Sequence, residues 1–154
     1  MKLKSLTLIV LTSLALTACG GESASTAPAS NAGSDAIKAR QDAMQDWRGA
    51  NEIMKGMMEN PANFDVAVFK EQAEFISSST AQMWSYFNDE NAKGKAQDAV
   101  WTDAAGYKAK QDEFNAAIQN LVNVASSASS ADDVSAAFGQ MAENCGSCHK
   151  VYKK

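Results

Sequence analysis

Apolar side chains recur every three or four residues along most of the chain from about residue 35 onward. This spacing follows the 3.6-residue period of an α-helix, whereas a half-buried strand would alternate with a period of two. Alternation is not sustained anywhere in the sequence, and only two prolines occur among its 154 residues. We therefore predict an all-α fold.

Four helical stretches can be separated by the residues that break helices. They have about 20 residues or more, which corresponds to roughly 30 Å or more at 1.5 Å per residue. Similar lengths and short links favour an antiparallel four-helix bundle. The predicted helices cover residues 35–60, 66–88, 103–127 and 130–152.

Side chains that can accept hydrogen bonds from free backbone N–H groups stand at each predicted helix start. Ser34 or Asp35 can cap the first helix, Asp65 the second and either Thr102 or Asp103 the third. Ser130 has an acidic residue three positions later, which is the pattern of a capping box. These caps support the predicted boundaries.

The stretch of residues 88–99 is polar, contains Gly94 and shows no steady period. It is therefore predicted to be the longest loop. We expect Trp101, which follows it, to hold this loop against the core.

The first residues combine a basic start, residues 1–4, with a mostly apolar run over residues 6–16 and then Cys19. The apolar run is short for a membrane span, and its flanks are typical of a signal peptide. A cysteine at the cleavage point resembles the signal of bacterial lipoproteins, in which that thiol receives a lipid. We predict a lipoprotein signal peptide over residues 1–18 and lipid attachment at Cys19; the alternatives are an ordinary signal peptide and a short anchor.

Residues 19–34 consist largely of small and polar residues, so they are predicted to be a flexible tether. The domain proper then covers residues 35–154. Gly20 stands where an Asp would favour the inner membrane, so the signal resembles those of outer-membrane lipoproteins. We expect a periplasmic protein that is attached to the outer membrane by its lipid alone.

The chain carries a net charge of −4, with a pI near 4.9. A nucleic-acid-binding protein would need a basic stripe, and none is visible, so nucleic acid is excluded as a partner. No nucleophile stands with an acid–base pair, so the sequence does not predict an enzyme.

The sequence Cys145-Gly146-Ser147-Cys148-His149 has the C-x-x-C-H spacing at which haem c is attached. On a helix, Cys148 and His149 lie three and four residues beyond Cys145, so all three share nearly one face. We predict one covalent haem c, held through Cys145 and Cys148, with His149 as the proximal iron ligand.

Other uses of these residues are a Cys145–Cys148 disulfide, a thioredoxin-like redox pair, a zinc site and two idle thiols. The redox pair normally occurs in a βαβ setting, and zinc would need a fourth ligand of another type. Since His149 is the single histidine, a bis-His haem is excluded. Any sixth iron ligand must come from another helix, and Met44 is the best candidate because it is inward-facing and at mid-helix.

The chain resembles the cytochrome c′ family, which includes the low-spin cytochromes c-556. The resemblance covers residues 35–154. It is carried by residues 36–44, by Trp84-x-x-Phe87, by residues 100–103 and by the motif from Cys145 to Tyr152.

The resemblance implies an antiparallel four-helix bundle with haem near one end, and it implies site residues. Met44 matches the distal position, which is a large apolar residue in high-spin members and an axial Met in low-spin ones. Arg40 and Gln41 match residues near the haem edge and its propionates, and Trp84 and Phe87 match pocket aromatics. Lys153 stands where the family usually has Arg.

We expect electron transfer, binding of NO or CO at a five-coordinate iron, or both. The alternative is a six-coordinate, low-spin electron carrier of the cytochrome c-556 type, with His149 and Met44 as ligands. A third class is a tethered helical bundle with a purely structural role. Expected partners are small diatomic gases and redox proteins, and the resemblance implies a possible homodimer through the first two helices.

Overall fold

A computed structural model describes residues 29–154 of the chain, with side chains from residue 33 onward. The predicted signal peptide, Cys19 and the tether up to residue 28 lie outside the described residues. Over the described range the chain forms helices and turns, with one isolated β-bridge between Ala96 and Lys153. The elements are α1 (Ala29–Glu59), a single 3₁₀ turn (Pro61–Asn63), α2 (Val66–Ser85), α3 (Ala99–Thr102), α4 (Ala104–Ala125) and α5 (Ala131–Tyr152).

The four long helices form the predicted all-α four-helix bundle. Helix α1 packs against α2, α2 against α4, and α4 against α5. The links at residues 60–65 and 126–130 are short, so the helices that they join run antiparallel. Of the pairs of neighbouring helices around the bundle, α1 and α5 pack least closely, and this leaves that side of the bundle open.

Helix α1 begins six residues earlier than predicted, at Ala29. Ser34 and Asp35 therefore lie inside the helix and do not cap it, and residues 29–34 do not belong to the tether. The alanines of this segment favour helix, and Gly33 costs only about 1 kcal/mol there. A Cβ added at Gly33 would lie 4.0 Å from the Cβ of Ala92, so this turn packs against the loop after α2.

The other predicted caps are confirmed. The Asp65 carboxylate accepts hydrogen bonds from the N–H groups of Ala67 and Val68, and Asp103 accepts one from Gly106. Ser130 forms the predicted capping box with Asp133 at the start of α5. These bonds satisfy N–H groups that the first turn of a helix leaves without partners.

Helix α2 ends at Ser85, three residues before the predicted end. The N–H groups of Tyr86, Phe87 and Asn88 each bond to the carbonyl three residues earlier. These bonds tighten the chain into turns, so the helical hydrogen-bond pattern stops there.

The predicted apolar stripes form the core, with Val66 as an exception. Val66 is 37% exposed because it is the first residue of α2 and lies at an end of the bundle. Among the described residues, no helix combines the length and apolarity that crossing a membrane would need. The largest fully buried side chains are Phe69, Met54, Ile76, Met83, Ile118, Leu121, Met141 and Val134.

We predict that Ile118→Ala lowers the free energy of unfolding by about 2–5 kcal/mol, since it removes a buried side chain and leaves a cavity. Ile118 is 1% exposed. The matched control is Val151→Ala on α5, where the side chain is 49% exposed and the loss should be about 0.5 kcal/mol or less. Urea titration followed by circular dichroism measures both, and equal losses would contradict the assigned core.

Candidate cofactor site

The last turns of α5 carry Cys145, Cys148 and His149 into the wall of one cavity. This cavity lies between α1 and α5, where the bundle is open, and has a volume of about 600 Å³. Cofactor and small-molecule sites typically measure about 300–1,000 Å³. The three motif residues therefore share one surface of the helix, and this surface faces a cavity of the size that cofactor sites have.

The two cysteines are free thiols in largely apolar surroundings. Burial raises the pKa of Cys145 to about 11, and burial also raises the pKa of Cys148. A redox-active cysteine pair instead has a lowered thiol pKa, so this environment does not favour the thioredoxin-like alternative. Among the described residues, no three His, Cys, Asp or Glu side chains are grouped so that they could hold a metal ion.

The His149 side chain lines the cavity beside the two thiols and remains partly exposed to solvent. Burial lowers the pKa of its imidazole, and the positive charge of Lys153 lowers it further. The neutral imidazole is the form that ligates metals. Lys153 itself lines the same cavity.

The opposite wall is built by α1 and by the end of α2. The cavity is lined from α1 by Arg40, Gln41 and Met44. Met44 lies four residues after Arg40 and three after Gln41, so it is a neighbour of both on the helix surface. Trp84 and Phe87 line it from α2 and the turn that follows. Every site residue predicted within residues 35–154 therefore borders this one cavity.

Among the residues whose burial is described, Arg40 is the one charged side chain in the buried core, at 5% exposed. Its Nη2 donates to the carbonyls of Ala92 at 3.0 Å and Lys93 at 2.7 Å, and Nη1 reaches the Tyr86 carbonyl at 3.5 Å. The guanidinium also lies 4.6 Å from the centre of the Phe87 ring. Burial lowers its pKa. Because a guanidinium has five N–H donors, only Nε and one Nη1 hydrogen remain for a ligand.

Those contacts fix the loop between α2 and α3 against α1. Gly94 has φ +54°, and a Cβ there would come within 3.1 Å of both Arg40 and Ile37, so glycine allows the close approach. The Trp101 indole N–H donates to the Phe87 carbonyl at 2.8 Å. Trp101 thus holds the loop as predicted.

The chain's last residues close the other side of the loop. The Gln97 N–H donates to the Tyr152 carbonyl at 2.9 Å, and the Lys154 N–H donates to the Lys95 carbonyl at 2.8 Å. The loop is therefore held between α1 and the end of α5. It completes the end of the cavity nearest the motif.

Several cavity residues were predicted only as core or not singled out. Tyr107 contacts the rings of Phe87 at 5.4 Å and Tyr152 at 5.0 Å, and the Tyr152 hydroxyl donates to Asp103 at 2.9 Å. Burial raises the pKa of Tyr107. Tyr107 and Tyr152 belong to predicted apolar stripes, and their position near the motif end of the bundle could have identified them.

The aromatic wall is continuous behind Met44. Trp47 stacks on Phe114 with ring centres 5.1 Å apart and meets Trp84 edge to face at 5.6 Å. The Trp84 indole N–H donates to Asn115 at 3.0 Å, which fixes the ring. The side-chain oxygen of Asn51, also in the cavity wall, is buried without a hydrogen-bond partner in the described part of the chain.

Together these residues fit a large, flat, mainly apolar group with acidic substituents. The aromatic rings give an apolar wall, and Arg40 and Lys153 can bind carboxylates. The two thiols and the imidazole supply the donor set of a covalently attached haem.

The chain is similar to known proteins over most of its length. Residues 35–153 match the family model described as Cytochrome C'. A cytochrome c′ of Alcaligenes xylosoxydans xylosoxydans is 32% identical over 120 residues, which cover 78% of this chain and 94% of that protein.

Two solved structures are similar in fold. The first, a nitric oxide complex of a mutant cytochrome c prime from Alcaligenes xylosoxidans, has a TM-score of 0.73 and 31% identity, over 79% of this chain and 96% of that chain. The second, a carbon-monoxide-bound variant of the same protein, has a TM-score of 0.74 and 31% identity, with the same coverage.

We predict that Arg40→Gln costs about 1.5–3 kcal/mol of stability, because buried carbonyls lose hydrogen bonds to a charged donor. It should also speed amide hydrogen exchange across residues 88–98, which Arg40 holds in place. The control is Arg48→Gln on the same helix, whose exposed ion pair with Glu52 should contribute about 1 kcal/mol at most. Equal losses and unchanged exchange in the loop would contradict the role of Arg40.

Proposed function

We propose that this chain, which belongs to the cytochrome c′ family, carries one haem c in the cavity between α1 and α5. The family is one of haem proteins, and the residues of this chain fit that group. The observation that carries the proposal is that Cys145, Cys148 and His149 border the same cavity as the resembling residues of α1 and α2. In this proposal the two cysteines form the thioethers and His149 binds the iron.

When bound, the haem supplies a one-electron redox change and an axial position that small neutral gases can occupy. The chain's own residues set the conditions for this chemistry. Trp84, Phe87 and Trp47 exclude water from the cavity wall. The remaining N–H groups of Arg40, with the amide of Gln41 and the ammonium of Lys153, neutralise and position the acidic groups of the cofactor.

The function we propose is electron transfer, binding of NO or CO at a five-coordinate iron, or both. Similarity to proteins whose structures hold nitric oxide and carbon monoxide supports gas binding. Met44 has the apolar bulk of the distal residue in this branch, and it packs against the core. The protein then acts as a gas-binding or electron-transfer protein rather than an enzyme.

A second candidate is the low-spin electron carrier. The observation in its favour is that Met44 lines the cavity from α1, across from the helix that carries His149. A thioether there is a known axial ligand of haem iron and would close the position to gases. The state of Met44 therefore decides between the two candidates.

We further propose that the protein is periplasmic and attached to the outer membrane through a lipid on Cys19. The basic start, the apolar run and the cysteine in the first 19 residues support this location. Maturation of haem c needs reduced thiols at Cys145 and Cys148. Because the lipid would occupy the Cys19 thiol, these two would be the remaining free cysteines of the chain.

A homodimer through α1 and α2 is supported by apolar side chains that remain exposed on these two helices. Ile53 on α1 is 45% exposed, and Phe75 on α2 is 42% exposed. Burial of these side chains between two copies would remove their apolar surface from water.

The covalent attachment can be tested with cysteine variants expressed in the periplasm together with a c-type haem maturation system. We expect the double variant Cys145→Ser/Cys148→Ser to lose its pigment in acidified acetone, because no thioether holds the cofactor. Ser147→Ala, between the two cysteines, should keep its pigment as the wild type does. Pigment that is extracted from the wild type would overturn the attachment.

The role of Met44 can be tested by the absorption spectrum of the reduced protein with and without CO. We expect a high-spin spectrum whose Soret band shifts with CO, and Met44→Leu should leave the spin state unchanged. Met54→Leu, which changes a buried methionine of the same helix outside the cavity wall, is the control. A split α band that CO does not alter, converted to high-spin by Met44→Leu alone, would establish the low-spin candidate instead.

A further inference from the structure

Four lysines near one end of the bundle form no ion pair within the described part of the chain, although the charge of Lys154 helps to lower the pKa of the Asp98 carboxyl. They are Lys95, Lys150, Lys153 and Lys154. The other Lys and Arg residues of that part form ion pairs with Asp or Glu, apart from Arg40, which is bonded to backbone carbonyls. The cations without partners are therefore gathered in one place.

Backbone hydrogen bonds bring three of these lysines together. Lys154 donates to the carbonyl of Lys95, and Lys153 forms a β-bridge with Ala96, next to Lys95. Lys150 lies on the last turn of α5, three residues before Lys153. We call this set the lysine rim.

The lysine rim borders the cavity. Lys95 and Lys153 line it, and so do Arg40, Arg48 and Lys110, while no Asp or Glu does. Arg48 and Lys110 are paired with Glu52 and Glu113 outside the wall, so Lys95, Lys153 and Arg40 are the lining cations without a carboxylate partner. This is notable in a chain with a net charge of −4. The surroundings of the motif therefore differ in sign from the chain as a whole.

The acidic groups near the rim are already engaged or stand outside the cavity wall. Asp98 pairs with Lys93 at 3.0 Å, and Asp103 accepts from the Tyr152 hydroxyl. Asp89 accepts from the N–H of Asn91, and Glu90 beside it does not line the cavity. These carboxylates limit the positive field to the cavity side of the rim.

We propose that the lysine rim is the docking surface for the acidic face of a redox protein. The proposal rests on the proposed function, since the partner would pass one electron to the oxidised haem and itself be oxidised by one electron, with no atom transferred. A chain with net negative charge repels an acidic partner at long range. Within a Debye length of about 8–10 Å the rim attracts it, so encounters are oriented towards the cavity.

Stopped-flow reduction of the oxidised full chain tests the sign of charge at the electron-entry site. The probes are the dianionic iron(II)–EDTA complex and dicationic hexaammineruthenium(II). Between about 10 and 200 mM ionic strength, we expect the rate with the dianion to fall about tenfold and the rate with the dication to rise.

Two double variants provide the comparison. Lys95→Gln/Lys154→Gln should abolish most of the salt dependence with the dianion, whereas Lys55→Gln/Lys70→Gln, which removes two paired lysines elsewhere, should leave it unchanged. Lys153 is kept in both because it belongs to the proposed haem site. A rate with the dianion that rises with ionic strength, or an equal response in both variants, would overturn the proposal.

A protein donor tests docking itself. With a reduced acidic [2Fe–2S] ferredoxin as the probe, the observed rate should saturate at low ionic strength, and the rim variant should lose saturation. The alternative ligand of the lysine rim is a lipid surface. If the chain lacking its lipid co-sediments with phosphatidylglycerol vesicles through the rim, and the rim variant does not change the rates with ferredoxin, the rim binds lipid and the proposal is wrong. If the proposed haem function fails, the wild type has no Soret band. A Soret band in every variant therefore shows that haem is bound and that the rates test docking alone.

Discussion

The spacing of three side chains on one turn of helix controls the architecture of the site. Cys145, Cys148 and His149 can act together only while the end of α5 stays helical and faces an open space. That space exists because α1 and α5 stay apart while the other neighbouring helices pack closely. The bundle thus gives rigid support on three sides and leaves the fourth for a cofactor.

The loop after α2 closes the end of this space, and charge holds it there. Arg40 is buried at a cost that is offset by bonds to backbone carbonyls and by its contact with the Phe87 ring. The same loop pairs with the end of the chain, which places Lys95 beside Lys153 and Lys154. The contacts that hold the loop in place therefore also bring Lys95 close to Lys153 and Lys154.

Local rules predict the helices, the C-x-x-C-H motif and Met44 as a candidate ligand, whereas the other site residues were predicted from the family resemblance. Periodicity and caps are local properties, so the bundle and the capping roles of Asp65 and Ser130 could be predicted from the sequence alone. The early start of α1 could not, because a Ser- and Ala-rich segment is compatible with both tether and helix until Gly33 is seen packed against the loop. Neither could the loop contacts of Arg40, which join residues 46 or more positions apart.

Intact mass measured under denaturing conditions tests the central claim most directly, on protein secreted by cells that mature c-type haem. After removal of the signal peptide and addition of the lipid at Cys19 are allowed for, the account predicts a polypeptide that is heavier by the mass of one haem, and this haem mass is confined to the peptide that contains Cys145 and Cys148. A folded helical protein with the mass of the bare polypeptide, or with haem that separates on denaturation, would contradict it.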